Sequence, residues 1–96
     1  MEHPEGDLLA LNGKRILVTG ACGTIGRELV HQLLIKHTIE ELVALDNNES
    51  DLFFLEQQFA DHPEASFFLA DVRDRNKLTR KMQGIDIVFH AAAYKH

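Results

Sequence analysis

The 96-residue sequence is short of several things at once, and each shortage closes off a class of protein. It has one cysteine, so no intrachain disulfide framework can hold it together, and such usage suits a reducing cytoplasm. No apolar run approaches the roughly 20 residues that cross a bilayer, and the polar start MEHPEGD is not a signal peptide. Basic residues are outnumbered: ten Lys and Arg stand against fifteen Asp and Glu, a formal net charge of −5. No Lys/Arg cluster interleaves with aromatics, which removes the electrostatic footprint of a nucleic-acid binder. The longest basic stretch, Arg73 to Lys81, is cut by Asp74 and reads as a solvated helix face. The six histidines are scattered, with no carboxylate or cysteine at metal-ligand spacing, so no metal site is expected. What is present, at 45% hydrophobic and 26% charged, is the composition of one small globular domain.

Short apolar runs alternate with helical periodicity along the chain. RILVT (15–19), ELVAL (41–45), SFFLA (66–70) and IDIVFHAA (85–92) have strand length, and the first two show little polar alternation. Such runs suit parallel strands covered on both faces. Between them, Ile25, Leu29, Leu33, Val30 and Leu34 are expected to share one helix face, and Leu52, Leu55 and Phe59 the inner face of a second helix near 49–60. A third helix near 74–82 would turn Leu78 and Met82 inward, with Asp74 as its N-cap. Phe53 and Phe54 are adjacent, so both cannot face the core, and one is expected to be exposed or to contact another subunit. His90, in an otherwise apolar run, is expected to be a hydrogen-bonded core histidine.

The order β-α-β-α-β-α-β predicts an α/β fold. Specifically it predicts a Rossmann-type parallel sheet of strand order 3-2-1-4, the first half of a doubly wound fold. Residues 1–13 read as a leader with a turn at Asn12-Gly13, and 14–96 as the domain proper. Doubly wound sheets normally continue past a fourth strand, so truncation there is expected, with open surfaces that favour self-association or a homo-oligomer.

LVTGACGTIG (17–26) places Gly20, Gly23 and Gly26 between a strand and a helix, the context in which a glycine triplet becomes informative. Gly20 permits the tight turn, Gly23 lets backbone approach a pyrophosphate, and Gly26 lets the helix pack close to the strand. Thr24 and Ile25 open that helix, where free N–H groups and the positive end of the dipole favour an anion. Asp46 ends the second strand 20 residues beyond Gly26, where a carboxylate can accept from an adenosine ribose, and Asn47 follows it. No Gly-Lys-Ser/Thr follows the glycines, so a mononucleotide P-loop is disfavoured. The competing reading has the glycines only packing a β–α turn and Asp46 only starting a turn or capping the next helix. Under the cofactor reading, Gly23→Val should abolish binding, both by bulk and because a branched residue resists unusual backbone angles.

The spacing Thr19-Gly20-Ala21-Cys22-Gly23-Thr24-Ile25-Gly26 resembles the short-chain dehydrogenase/reductase superfamily, particularly its extended nucleotide-sugar branch. LDNNESDL (45–52), ADVRDRNKL (70–78) and DIVFHAAAYKH (86–96) look like the CapD-like polysaccharide-biosynthesis family, which includes UDP-N-acetylglucosamine 4,6-dehydratases. The resemblance runs from Lys14 onward, and HAAAYKH is its most family-specific stretch. It implies the NAD(P)-binding portion of an enzyme that acts on a UDP-sugar in polysaccharide or glycan biosynthesis. In such enzymes the sugar is oxidised at C4, water leaves across C5 and C6, and hydride returns; epimerisation through the same keto intermediate is the related outcome. It also carries Asp71 and Val72 over as adenine contacts and Lys95 as a charge at the mouth of the site. Ala91, Ala92 and Ala93 are expected to end the fourth strand, where small residues would let a cofactor lie close to backbone or, equally, serve tight sheet packing. Cys22 stands where the family's loop commonly has glycine.

The family's catalytic Tyr-x-x-x-Lys pair lies further along than this sequence reaches, so Tyr94 is not that tyrosine. No catalytic residue is therefore expected here, and the 96 residues alone are expected to be inactive. NAD is expected over NADP: Asn47, Asn48 and Glu49 follow Asp46 rather than an arginine, and Asp46 would repel a 2′-phosphate. At about 4 Å near a surface that repulsion is roughly 4 kcal/mol. A non-catalytic NAD(P)-binding regulator or redox sensor on the same fold is the alternative. A cytoplasmic location is expected, with any membrane anchor of the parent outside this chain.

Overall fold

The computed structural model describes residues 10–94. Residues 10–13 form a turn held to the far end of the first crossover: the Gly13 N–H donates to the Thr38 carbonyl at 2.8 Å, and the Thr38 N–H to Asn12 Oδ1 at 2.9 Å. Four strands follow, β1 (Arg15–Thr19), β2 (Glu41–Asp46), β3 (Ala65–Leu69) and β4 (Ile87–His90). Three helices connect them, α1 (Thr24–Lys36), α2 (Glu49–Gln58) and α3 (Arg75–Lys81). All pairings are parallel and the order is β3-β2-β1-β4, the expected 3-2-1-4. Thr19 pairs with both Leu45 and His90, and Asp46 with Leu69, so the carboxyl ends of the strands share one edge.

The side-chain alternation of a strand divides the core between the two faces of the sheet. Ile16, Val18, Leu42 and Ala44 pack under Val30, Leu33 and Leu34 of α1 and Leu55 of α2. Leu17, Val43 and Leu45 form the opposite cluster, joined by Leu78 of α3 and by Ile85. The capping of α3 is as read, with Asp74 Oδ1 accepting the Lys77 N–H at 3.1 Å. Asn48 does the same for α2, accepting from Asp51 at 3.0 Å.

The structure corrects several orientations. The buried stripe of α1 is Gly26, Val30, Leu33 and Leu34, which leaves Ile25 47% exposed rather than inward. One residue is about 100° of helix, and the stripe is set by Gly26 against the preceding turn. Met82 caps α3 and is exposed, because Leu78 is the one apolar side chain that the short helix presents to the sheet. Leu52, Leu55 and Phe59 are buried as expected. Phe53 and Phe54 are both exposed, packed edge-on with ring centroids 5.7 Å apart. The fourth strand stops at His90, and Ala91–Tyr94 form a 3₁₀ turn, so Ala91, Ala92 and Ala93 follow the strand rather than end it. The sequence IDIVFHAA offers no polar stop, whereas the chain must bend here to pass the glycine turn. His90 is exposed, not in the core, although its Nδ1 lies 3.2 Å from Oγ1 of the fully buried Thr19.

Candidate functional site

The carboxyl edge of the sheet is where three crossovers begin, and their turns surround a cleft of about 270 Å³. Gly20, Asp46, Asn47, Ala70, Val72 and Ala92 line it. Five of these six are residues singled out from the sequence; Ala70 was missed, because a small residue just past an apolar strand carries no signal of its own.

The glycine turn is built by close approach. Gly20 has φ +68°, and a Cβ there would stand 2.5 Å from the Ala92 nitrogen, so both the conformation and the neighbouring chain require its absence. A Cβ on Gly26 would overlap the Gly20 carbonyl oxygen and lie 2.8 Å from Ala21 Cα, so α1 seats directly on the turn. Gly23 differs: φ −72° and ψ 172° are ordinary extended backbone, so the expected strain of a branched residue there does not exist and only bulk remains.

Gly23 is also the N-cap of α1, and no side chain caps the helix. Its first turn holds no acidic residue, whereas that of α2 holds Glu49 and Asp51. Among the three helices, α2 and α3 satisfy an N-terminal N–H with their own Asn48 and Asp74; α1 leaves its first-turn donors at Thr24, Ile25 and Gly26 without that partner. Thr24 and Ile25 are exposed there, outside the lining of the cleft. Cys22 packs against the apolar cluster beneath α1.

Asp46 is 3% exposed, and both carboxylate oxygens accept backbone donors. Oδ2 takes the Cys22 N–H and Oδ1 the Asn48 N–H, each at 2.9 Å. Asn47, beside it, is exposed. Val72 is 47% exposed at the cleft, while the Asp71 side chain is turned to Arg73. Its Oδ2 accepts Nη2 at 2.7 Å, and Oδ1 accepts both Nε at 3.0 Å and the Arg73 backbone N–H at 2.8 Å. The guanidinium bonds, then the backbone N–H, hold the Asp71 carboxyl down to about 2. Lys95 lies outside the described residues, as does the side chain of Ala93. Among the described residues no group of three or more His, Cys, Asp or Glu is placed to hold a metal, and no helix is long and apolar enough to cross a membrane.

A parallel sheet of order 3-2-1-4, with a cleft at the carboxyl ends of its strands, is a Rossmann-type fold. Residues 16–96 match the family of polysaccharide biosynthesis proteins, and the chain belongs to that family. It is 46% identical over 83 residues to an uncharacterized membrane protein of Methanocaldococcus jannaschii, covering 86% of this chain and 24% of that protein. It is 34% identical over 85 residues to an inverting UDP-N-acetylglucosamine 4,6-dehydratase of Campylobacter jejuni, covering 88% of this chain and 25% of the enzyme. The X-ray structure of Pen from Bacillus thuringiensis superposes with a TM-score of 0.82 at 29% identity, over 90% of this chain and 26% of that one. The chain thus spans about a quarter of the length of these relatives.

Proposed function

We propose that this chain is the NAD-binding portion of a nucleotide-sugar dehydratase or epimerase that acts on a UDP-sugar in polysaccharide biosynthesis. The observation that carries the reading is the uncapped first turn of α1, standing after a glycine turn at the edge of a cleft on the sheet's carboxyl edge. The residues present fit a dinucleotide. Backbone donors at Thr24, Ile25 and Gly26 would hold the pyrophosphate, with Gly23 leaving room for it. Asp46 and Asn47 would face the adenosine ribose. Asp71, Val72 and Ala70 would border the adenine, and Ala91 and Ala92 would let the other half pass close to backbone. The cleft, about 270 Å³, is near the roughly 300 Å³ lower bound of small-molecule sites and suits one nucleoside half.

When bound, the nicotinamide supplies a hydride acceptor for sugar oxidation and returns the hydride. The part played by these residues is to bind and orient it. Proton transfer is assigned to groups in the part of the relatives' length that this chain does not match, so the chain by itself binds without turnover. NAD rather than NADP is the cofactor, because the sequence holds no Lys or Arg between His37 and Val72, the span that includes the end of β2. A 2′-phosphate there would meet the Asp46 carboxylate and Glu49 with no cation supplied by that span.

Calorimetry on the 96-residue chain with NAD⁺, NADP⁺ and ADP tests the reading. Saturable NAD⁺ and ADP binding, at least tenfold tighter for NAD⁺ than for NADP⁺, is expected. Gly23→Val should lose both while keeping its circular dichroism, since its backbone angles suit any residue. Undiminished affinity in folded Gly23→Val, or no binding by the wild-type chain, would retire the reading.

A further inference from the structure

The hydrogen bonds of Asp46 reach further than a ribose acceptor requires. Beyond the last β1–β2 pair, the Ala21 N–H still donates to the Leu45 carbonyl at 3.0 Å, and the next donor, the Cys22 N–H, is taken by Asp46 Oδ2. Oδ1 takes the Asn48 N–H, which fixes the entry to α2, and the Asp46 backbone carbonyl accepts the Ala70 N–H at 2.9 Å, at the exit of β3. One residue therefore bonds to all three β–α turns that surround the cleft. It does so nearly out of contact with solvent, and no buried side-chain polar atom among the described residues lacks a partner. A carboxylate is the side chain suited to this place. It is acceptor-only, so it takes two converging backbone N–H groups, and a charged acceptor makes stronger bonds than a neutral one.

We infer that Asp46 is a positioning residue, whose carboxylate latches the glycine turn to the end of β2 and the entry to α2 and holds the phosphate-binding backbone in place before a nucleotide arrives. The inference rests on the nucleotide reading above and adds a role that acts on the phosphates, through Cys22 and the turn, rather than on the ribose. The two roles are compatible, since a carboxylate has about four acceptor positions and two are used within the protein. They differ in which ligands they affect. A ribose reader matters only to nucleotides that carry the hydroxyls; a latch matters to any ligand whose phosphates sit on the turn.

The test is Asp46→Asn, which keeps the shape but puts an amide donor against one of the two N–H groups. Affinities of ADP and of 2′,3′-dideoxyadenosine diphosphate are measured by calorimetry below the variant's melting temperature. Both are expected to weaken about tenfold or more, as for other hydrogen bonds to charged groups left broken in a protected site. Unchanged affinity for the dideoxy nucleotide with loss confined to ADP would overturn the latch and leave the nucleotide reading standing. A second measurement needs no variant: hydrogen exchange in the nucleotide-free wild-type chain. The Cys22 amide is expected to exchange at least tenfold more slowly than those of Thr24 and Ile25, and equal rates would overturn the latch. If the wild-type chain binds neither nucleotide, the nucleotide reading fails and the latch's function falls with it, an outcome distinct from selective loss of ADP.

Discussion

The two faces of the sheet share the same strands and are covered very differently. On one, a 13-residue and a 10-residue helix press Val30, Leu33, Leu34 and Leu55 onto Ile16, Val18, Leu42 and Ala44. On the other, a seven-residue helix with no buried residue offers Leu78 to Leu17, Val43 and Leu45. Lys77 and Lys81 of that helix lie over β3 instead: the Lys77 ammonium donates to the Leu69 carbonyl, and that of Lys81 stands 3.4 Å from the Phe68 ring centroid. Even so, Leu17 and Leu45 on the thinly covered face are 0% and 1% exposed. No residue of β3 or β4 is buried, although ASFFL and IVFH are as apolar as RILVT. A strand's burial here follows its place in the sheet. The inner strands are flanked by strands on both sides, and each outer one by a strand on one side only.

The heavily covered face should therefore be far less tolerant of change. The largest effect is expected for Gly26→Ala, whose methyl would overlap the Gly20 carbonyl where α1 meets the turn. About 3 kcal/mol or more should be lost in urea melts, and a loss below about 1 kcal/mol would mean that α1 can slide off its seat. Leu33→Ala, which empties a site 2% exposed, should cost about 3 kcal/mol, against about 1 kcal/mol for the half-buried Leu78 on the opposite face. Equal losses from these two truncations would erase the distinction between the faces.

A smaller effect belongs to Lys81→Gln, which removes the cation from Phe68 at a partly open site. About 0.5 kcal/mol is expected, and no change would show that the contact adds nothing to β3. The smallest concerns Asp71 and Arg73 beside the cleft. The folded carboxyl titrates at about 2, below its ordinary 3.8. The contact therefore adds stability above 3.8 and loses it as the pH falls through about 2. Both groups are open to water, so the effect on stability is slight and the titration itself is the better readout. Carboxyl-carbon NMR should place the Asp71 midpoint near 2 in the wild type and higher in Arg73→Ala, though still below the ordinary value because the backbone N–H of residue 73 remains on Oδ1; identical midpoints would dissolve the pair.

Much of this architecture is visible in local pattern. The apolar runs at 15–19 and 41–45 mark the two central strands because those strands are covered on both faces, and their buried polar residues, Thr19 and Asp46, stand only at the carboxyl ends. Asp74 announces a helix start because a cap is a contact three residues long. The end of β4 was not visible, since His90 is followed by alanines that suit a strand equally well. What stops the strand is the approach of Ala92 to Gly20, 72 residues away in the chain. The facing of Ile25 and Met82 was missed for a related reason. On a helix rim an apolar side chain looks the same whether it packs or not, and a neighbour distant in sequence decides.

The sequence alone determined the alternation of elements, the parallel class of sheet and the glycine spacing, because each depends on residues within a few positions of one another. Only the tertiary structure decided what Asp46 bonds to. Its contacts with Cys22 and Ala70 span 24 residues on either side, and they exist only because parallel pairing in the order 3-2-1-4 brings three turns to one edge. Hydrogen bonds act over about 3 Å, so a partner distant in the chain can be known only once the chain is folded.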